Sequence, residues 1–522
     1  MPILLFLLTI FSRLPFTSKY LYHMDSGHFA LALDTYDLLL HQPHPPGYFL
    51  YVLLAKVLHL FVSDVNAVFV IISIFFSALT TVVIYYLGKE MFDEKLGTIA
   101  AFLALTSPNF WFHGEIALSY PIEAFFSAII GLQCWRIFKG RKEYFWISIV
   151  LLALAGGFRQ NSAVFLLPVW LLSVRHQSPV RIFAGIALGG IVILAWFVPM
   201  VMMTGGLDVY RAAFRELWQF NTGHNSVFEK GLPRLKQFTL TVNGFLFFTL
   251  GAAMPFSLVS LYATLRNGRI SLLKESRTTF LACWVLPSLL FYLLVFIHPA
   301  NPGYVLILLP PLAVACSAAL LSLGSELVRL TGKNVIGAPA WIVMLMNVGI
   351  FLFSPLPVSL SEVMTHDRNI AAILRRVAAF NPKTTALFVV PYSFYSYRHL
   401  MVYLPEFTVY QVDVRTSEAG ERRKQFGGVN GKTFLTEKIR VPKGVTGFAS
   451  VILDEPLGPP RILPRLSIEQ LAPEIRIVSG SIDGVCQLYP ELTPLWDSAE
   501  STHGLTARVV SKGNDHAGIE NK

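Results

Sequence analysis

The sequence predicts an all-α polytopic membrane protein carrying a small C-terminal α/β or α+β extramembrane domain. Three observations carry this. Of 522 residues, 54% are hydrophobic and only 14% charged, against about 25% charged in an average soluble domain. Apolar runs long enough to cross a bilayer recur over the first two thirds of the chain. The short loops between them alternate in charge, one set being consistently basic.

The elements follow in order. Met1 to Phe16 is apolar, without a basic lead or a small-residue cleavage site at Ser12-Arg13-Leu14-Pro15, so it reads as a first span rather than a cleaved signal. It falls short of the ~20 residues a full crossing needs, which suits a partly re-entrant helix or a start further upstream. A polar loop, 17–65, comes next, and its segment 47–62 mixes Lys56 and His59 with apolar residues, as an interfacial helix does. Apolar runs then recur at 66–88, 96–112, 117–135, 144–158, 162–174, 182–203, 239–265, 279–297, 304–323 and 334–357. With the first segment they make about eleven transmembrane helices. Two of them, 144–158 and 162–174, are short and meet at Gly156-Gly157-Phe158-Arg159-Gln160-Asn161, as a pair of short tilted spans or a hairpin would.

Alternate loops carry Lys89 and Lys95; Arg136, Lys139, Arg141 and Lys142; Arg175 and Arg181; Arg266, Arg269, Lys274 and Arg277; Arg329 and Lys333. The positive-inside rule puts these loops in the cytoplasm together with the N-terminus. Loops 17–65 and 204–238, and everything after Leu356, then face outside. The net charge of +10 is accounted for by this placement and does not call for nucleic acid. Residues 1–357 form the transmembrane domain and 358–522 the external one. In the latter, charge of both signs rises, a helical pattern covers Asn369 to Arg376, and β-like runs appear at Ala386–Val390 and Gly447–Leu453. The last stretch, Asp497 to Lys522, is polar and reads as frayed. Cys134, Cys283 and Cys316 lie in apolar segments and Cys486 in the tail, so no disulfide framework is indicated. No Asn-x-Ser/Thr sequon occurs, which favours a bacterial inner membrane over the endoplasmic reticulum.

The candidate chemistry sits at the outer ends of the spans. Asp25 follows the first span closely, and an acid at that depth is expensive unless it faces water or a partner. It suits a general base, alone or metal-assisted; as a helix N-cap for Ser26-Gly27-His28 it would be structural. Glu115, in Asn109-Phe110-Trp111-Phe112-His113-Gly114-Glu115, is a second acid at the same depth, and two convergent carboxylates can share the work of base and metal ligand or acceptor clamp. The competing reading is a helix cap. His44 opens the stiff turn His44-Pro45-Pro46-Gly47-Tyr48. His41 and His44 have a weak metal spacing and better suit a hydrogen bond to a phosphate or sugar. Asp34 and Asp37 read as a solvated helix face. Among the cations Lys56, Arg159, Arg211, Arg215 and His298, Arg159 is the best placed to meet a phosphate; Arg211 and Arg215 suit snorkelling to headgroups. Tyr304, in His298-Pro299-Ala300-Asn301-Pro302-Gly303-Tyr304, opens a late span from the outer side. No Walker loop, G-x-G-x-x-G, H-E-x-x-H or C-x-x-C occurs, so a cytosolic nucleotide-sugar donor has no support.

This pattern resembles the GT-C class of membrane glycosyltransferases: an acid after the first span (Asp25), a His-Pro-Pro-Gly-Tyr turn (His44–Tyr48) leading into an interfacial helix, a second acid after the third span (Glu115), and an external C-terminal domain. The turn after Asp25-Ser26-Gly27 is most similar to the protein O-mannosyltransferase-like branch. The resemblance covers the first third of the chain in its motifs and the rest in topology. It implies transfer of a sugar, such as mannose or a related hexose or pentose, from a polyprenyl- or dolichyl-phosphate donor to a protein, lipid or glycan hydroxyl, with inversion. Asp25 would deprotonate the acceptor and Glu115 would position the acceptor or a divalent cation. His44, His113, Arg159, His298 and Tyr304 would bind substrate, with Arg159 and His298 on the leaving phosphate. Some members of the class need Mg2+ or Mn2+ and others none. The sequence departs from the class in its short first span and in Pro302-Gly303-Tyr304, where an Arg-Tyr is usual. A polyprenyl-linked polysaccharide ligase or polymerase is the nearest alternative. A transporter or flippase would show midplane charges and repeats between halves, and a scaffold would leave both acids idle.

Overall fold

The computed structural model describes residues 1–222, 225–266, 276–390, 394–416, 422–429, 439, 441–453, 465–473, 475–489 and 492. The basic-loop residues Arg269 and Lys274 and the tail Asp497 to Lys522 lie outside the described residues.

The chain begins as helix α1 (Pro2–Arg13), followed by a polar loop that itself holds two helices, α2 (Met24–Asp34) and α3 (Phe49–His59). Pro45 and Pro46 cannot donate to a helix, and Gly47 (φ +122°) and Tyr48 (φ +47°) take left-handed backbone before α3 starts. A helical bundle follows: α4 (Val65–Met91), α5 (Glu94–Thr106), α6 (Pro108–His113), α7 (Tyr120–Phe138), α8 (Phe145–Phe158), α9 (Gln160–Val174), α10 (Pro179–Met203), α11 (Leu207–Thr222), α12 (Val227–Leu250), α13 (Ala253–Arg266), α14 (Ser276–Leu294), a 3₁₀ segment (Pro302–Leu308) running into α15 (Leu309–Thr331), and α16 (Ala338–Phe353).

This is an integral membrane architecture. Among the described residues, four helices are long and apolar enough to cross a bilayer, and five if α12 and α13, bent by 102° at their junction, make one span. Pro2–Phe16, Gln160–Val174 and Ala338–Phe353 are apolar but shorter, so a count near eleven requires short or tilted helices to cross as well. Helix α7 is the hub, packed on α4, α8 and α9. Its Gly131 leaves room for the Trp284 ring of α14, which a Cβ would meet at 1.8 Å.

After α16, the amphipathic helix α17 (Leu360–Val377) buries Val363, Ile370, Ile373 and Val377. It packs beside a six-stranded mixed sheet of order β3-β2-β1-β4-β6-β5: β1 (Thr385–Val389), β2 (Val409–Thr416), β3 (Arg422–Val429), β4 (Gly447–Leu453), β5 (Ser467–Ala472) and β6 (Ile475–Ser481). β1 runs parallel to β2 and β4, and the outer pairs are antiparallel. The short α18 (Tyr397–Tyr403) follows β1, as a crossover between parallel strands requires. It turns towards the membrane part rather than lying free. Leu21 N donates to Tyr403 Oη at 2.8 Å, and His399 Nε2 lies 2.9 Å from Leu21 O. Asp367 of α17 accepts from Ser18 Oγ and Lys19 N. The sheet unit and the loop after α1 therefore share one hydrogen-bonded seam.

Candidate active site

The start of α2 fixes the first carboxylate. His23 is the N-cap; its Nδ1 accepts the Asp25 N–H at 3.1 Å while its own N–H is offered to Ser26 Oγ at 3.3 Å. The Ser26 hydroxyl also donates to Ala117 O at 2.7 Å, tying the helix start to the loop after α6. Asp25 is thus held in the first turn of a helix, where exposed N–H groups favour a negative charge. Its side chain keeps 22% exposure among buried neighbours.

Three imidazoles surround it. Oδ2 lies 3.5 Å from His23 Nδ1; Oδ1 lies 3.8 Å from His28 Nδ1 and 3.7 Å from His44 Nδ1. His28 stands three residues after Asp25, on the same helix face, and the rigid His44–Tyr48 turn delivers His44 from the other side. The two Nδ1 atoms are 3.1 Å apart, and His44 Nε2 is 3.2 Å from Tyr48 Oη. Burial alone pushes the Asp25 carboxyl up, but His44, His23 and His28 outweigh it and hold it well below the usual carboxylate range. Burial takes His28 well below its ordinary value and lowers His44 as well. The cluster is thus a carboxylate held ionised beside His28 and His44, whose burial disfavours their charged forms.

That donor set fits a divalent metal. A metal about 2.1 Å from each donor spaces tetrahedral donors about 3.4 Å apart. The separations among Asp25 Oδ1, His28 Nδ1 and His44 Nδ1, 3.1 to 3.8 Å, bracket this value. One carboxylate and two imidazoles suit Zn2+, Mn2+ or Fe2+ better than the all-oxygen shell Mg2+ prefers.

Tyr48 joins this cluster to a second one. Arg159, at the break between α8 and α9, sits in a box of aromatic rings, 4.4 Å from the Tyr120 centroid, 5.3 Å from Tyr304 and 5.8 Å from Tyr48. Its Nε lies 3.2 Å from Glu123 Oε2, and Nη1 donates to Ser119 Oγ. The box closes because Gly303 lets the Tyr120 ring pass where a Cβ would meet Cδ2 at 2.3 Å.

The other residues singled out in the sequence are placed as follows. His113 Nδ1 donates to Asn109 O at 2.8 Å, and its ring meets Tyr120 edge-on. His298 Nδ1 accepts from Ala300 N–H, and the residue lies within electrostatic reach of His23 and Asp25. Glu115 does not join the cluster. It is fully buried with Arg13 of α1 as its charge partner, while its carbonyl accepts from Ser18 N–H at 2.9 Å. Lys56 lies in the last turn of α3; Arg211 is exposed on α11 beside Asp208.

Several residues escaped sequence reasoning. His23 and His28 carried a signal, since four of the chain's 13 histidines fall between positions 23 and 44. Glu123 was visible as an acid inside an apolar run, which marks a functional position by default. Arg398 of α18 was not visible at all. It is 3% exposed, donates to Leu40 O at 3.0 Å, and packs its Cβ where a Gly27 side chain would stand. Burial, with Arg398 nearby, takes His41 down to about 4.

Comparison with known proteins adds three findings. The family model described as oligosaccharyl transferase STT3, N-terminal, matches residues 22–115, the stretch from α2 to the loop after α6. No curated protein matches the chain. The crystal structure of ArnT from Cupriavidus metallidurans bound to undecaprenyl phosphate is similar over 92% of this chain and 96% of its own, with 13% identity and a TM-score of 0.56. The apo structure of the same protein gives 91%, 96%, 14% and 0.54. The chain thus has the GT-C fold.

Proposed function

We propose that the chain is a membrane glycosyltransferase that moves a sugar from a polyprenyl-phosphate donor to an acceptor hydroxyl at the outer membrane face, inverting the anomeric centre. The observation that carries this reading is the Asp25 carboxylate, kept ionised among imidazoles and joined through Tyr48 to the Arg159 box. The match of residues 22–115 to an oligosaccharyl transferase family model and the fold shared with an undecaprenyl-phosphate-bound protein support it. Residues 1–357 are the catalytic membrane part and 358–522 the external domain. The N-terminus is cytoplasmic, and the membrane is a bacterial inner membrane.

The two Asp25 oxygens face different neighbours, which allows two duties. Oδ2, on the His23 side, accepts the proton of the acceptor hydroxyl as it attacks. Oδ1, between His28 and His44, is the oxygen a cation would use. A divalent cation held by Asp25, His28 and His44 supplies charge neutralisation for the phosphate when bound. Arg159 neutralises the departing phosphate, oriented by Glu123 and Ser119 and shielded from water by Tyr48, Tyr120 and Tyr304. His298 and His113 line the approach to this centre. Glu115 acts at one remove: with Arg13 it fixes the loop whose carbonyl holds Ser18 and so the start of the Asp25 loop. Mannose or a related hexose or pentose is the sugar, and a protein, lipid or glycan hydroxyl the acceptor.

The test is transfer of labelled sugar in membranes containing the chain, with polyprenyl-phosphate mannose, other polyprenyl-phosphate sugars and nucleotide sugars offered in parallel. Product from a lipid-linked donor supports the reading. Product from nucleotide sugars alone, or from no donor in the panel, refutes it.

A further inference from the structure

One short helix of the external unit touches both arms that carry the Asp25 cluster. Helix α18 lies with Arg398 against α2: a Cβ on Gly27 would stand 2.9 Å from the Arg398 Cβ and 3.6 Å from its carbonyl carbon, so a larger residue would force the helices apart. Gly27 directly precedes His28. From the same residue the guanidinium reaches the other arm, its Nη2 donating to Leu40 O at 3.0 Å. Arg398 is 3% exposed, so little water competes for that bond. The rest of α18 is fixed by His399 and Tyr403, which hold the backbone of Leu21 ahead of α2.

The second arm is built to pass the contact on. Asp37 and Gln42 exchange both backbone hydrogen bonds, at 2.7 and 2.8 Å. Asp37 Oδ1 accepts from Leu39 N–H at 2.8 Å and from Leu40 N–H at 3.3 Å, and His41 N–H donates to Leu38 O. Residues 37–42 are thus a loop closed on itself, and Pro43, Pro45 and Pro46 stiffen the chain on both sides of His44. Such a unit moves as one piece, so whatever anchors Leu40 O also sets where the His44 ring stands. The His28 and His44 Nδ1 atoms, 3.1 Å apart, are spanned from outside by one side chain.

We propose that Arg398 is a positioning residue through which the external domain sets the spacing of the Asp25, His28 and His44 side chains, and with it their affinity for a divalent cation. The inference rests on the cation reading of that cluster. Arg398 is no ligand. Its guanidinium is within electrostatic reach of Asp25 and His28, and its positive charge opposes a cation held there. Positioning and charge therefore act with opposite signs, and the direction of the change on neutralising Arg398 shows which governs. Linkage makes the effect reciprocal: a bound cation must in turn hold α18 on the loop.

The experiment measures Mn2+ affinity by paramagnetic resonance on the full chain in detergent, for wild type, Arg398→Met, Arg398→Lys and Asp367→Ala, and needs no turnover. Methionine keeps the apolar stem beside Gly27 and removes the donor, so affinity should fall at least about fivefold, the lower end of ordinary coupling between sites. Lysine keeps a donor for a single carbonyl and should recover part of the loss. Asp367→Ala removes the seam contacts to Ser18 and Lys19 without touching either arm, and affinity should stay within about twofold of wild type. Hydrogen exchange supplies a readout without metal: the amides of 37–42 should exchange faster in metal-free Arg398→Met than in wild type. Added Mn2+ should slow exchange in α18 of the wild type but not of Arg398→Met. Tighter Mn2+ binding by Arg398→Met overturns the proposal in favour of charge, and equal losses in Arg398→Met and Asp367→Ala overturn it in favour of the seam as a whole. Lysine no better than methionine, or unchanged exchange at 37–42, overturns the clamp itself. A wild type that binds no Mn2+ overturns the cation reading and the affinity claim with it, while the metal-free exchange still decides the clamp.

Discussion

Replacing Arg159 by Met separates the structural from the chemical role of the aromatic box. The guanidinium is 6% exposed, its Nε is 3.2 Å from Glu123, and three tyrosine rings lie within 5.8 Å. Methionine fills a similar volume but leaves the buried Glu123 carboxylate without its cation. Removing one partner of a buried ion pair costs about 3–5 kcal/mol, and removing each cation–π interaction adds about 0.5–2 kcal/mol. The single variant should unfold at clearly lower temperature in detergent. In the double variant Arg159→Met/Glu123→Gln no charge remains, and Ser162 Oγ can still hydrogen-bond the amide where it now meets Glu123. Most of the stability should return, since replacing both partners of a buried pair is often neutral. Transfer should not return, because the Arg159 charge that faces the departing phosphate is gone. Melting temperature and labelled-sugar transfer are measured on the same preparations. A double variant that regains both stability and transfer would show that Arg159 serves packing alone.

Further outcomes are expected. Mn2+ binding, followed by its paramagnetic resonance, should weaken at least about tenfold in His28→Ala and His44→Ala. Because burial holds both imidazoles below the ordinary histidine value near 6.5, they stay neutral as pH falls through it, so affinity should stay flat between about pH 7.5 and 6.5; a steep loss there contradicts the account. The same depression means the unfolded chain binds protons more readily below that pH, so melting temperature should fall with it. Gly303→Ala places a methyl 2.3 Å from the Tyr120 ring and should raise KM for the lipid donor more than it lowers kcat; an unchanged KM argues against the box as the phosphate site. Gly27→Leu drives into Arg398, whose Cβ lies 2.9 Å from the position of a Gly27 Cβ. It should cost about 1–3 kcal/mol, as overpacking does, read as a lower unfolding midpoint.

What the sequence shows and what it hides follow from range. Asp25 and His44 are each legible alone, one as an acid at a span end and the other as the head of a proline-stiffened turn. The structure sets them 3.7 Å apart. Glu115 is legible as an acid beyond a helix end, but its charge partner is not: Arg13, 102 positions earlier, is the cation that acts on it. Strands β1 and β4 announce themselves as β-branched and aromatic runs, whereas the order β3-β2-β1-β4-β6-β5 depends on pairings far apart in sequence. Arg398 is the extreme case. It meets Leu40 across 358 positions, so no local pattern places it. His23 shows a different limit, since only its capping hydrogen bond fixes which nitrogen faces Asp25. Gly156-Gly157 and Arg159 interrupt the apolar run, and two helices, α8 and α9, meet there, but length alone cannot say how many helices cross.

The most direct measurement compares wild type with Asp25→Asn at equal expression, in transfer of labelled sugar from a polyprenyl-phosphate donor. The substitution keeps the shape and removes the proton acceptor. A general base contributes about 10²-fold or more, so transfer should fall by at least that factor. Near-full transfer by the Asp25→Asn variant would contradict the assignment of Asp25 as the base and with it the proposed chemistry.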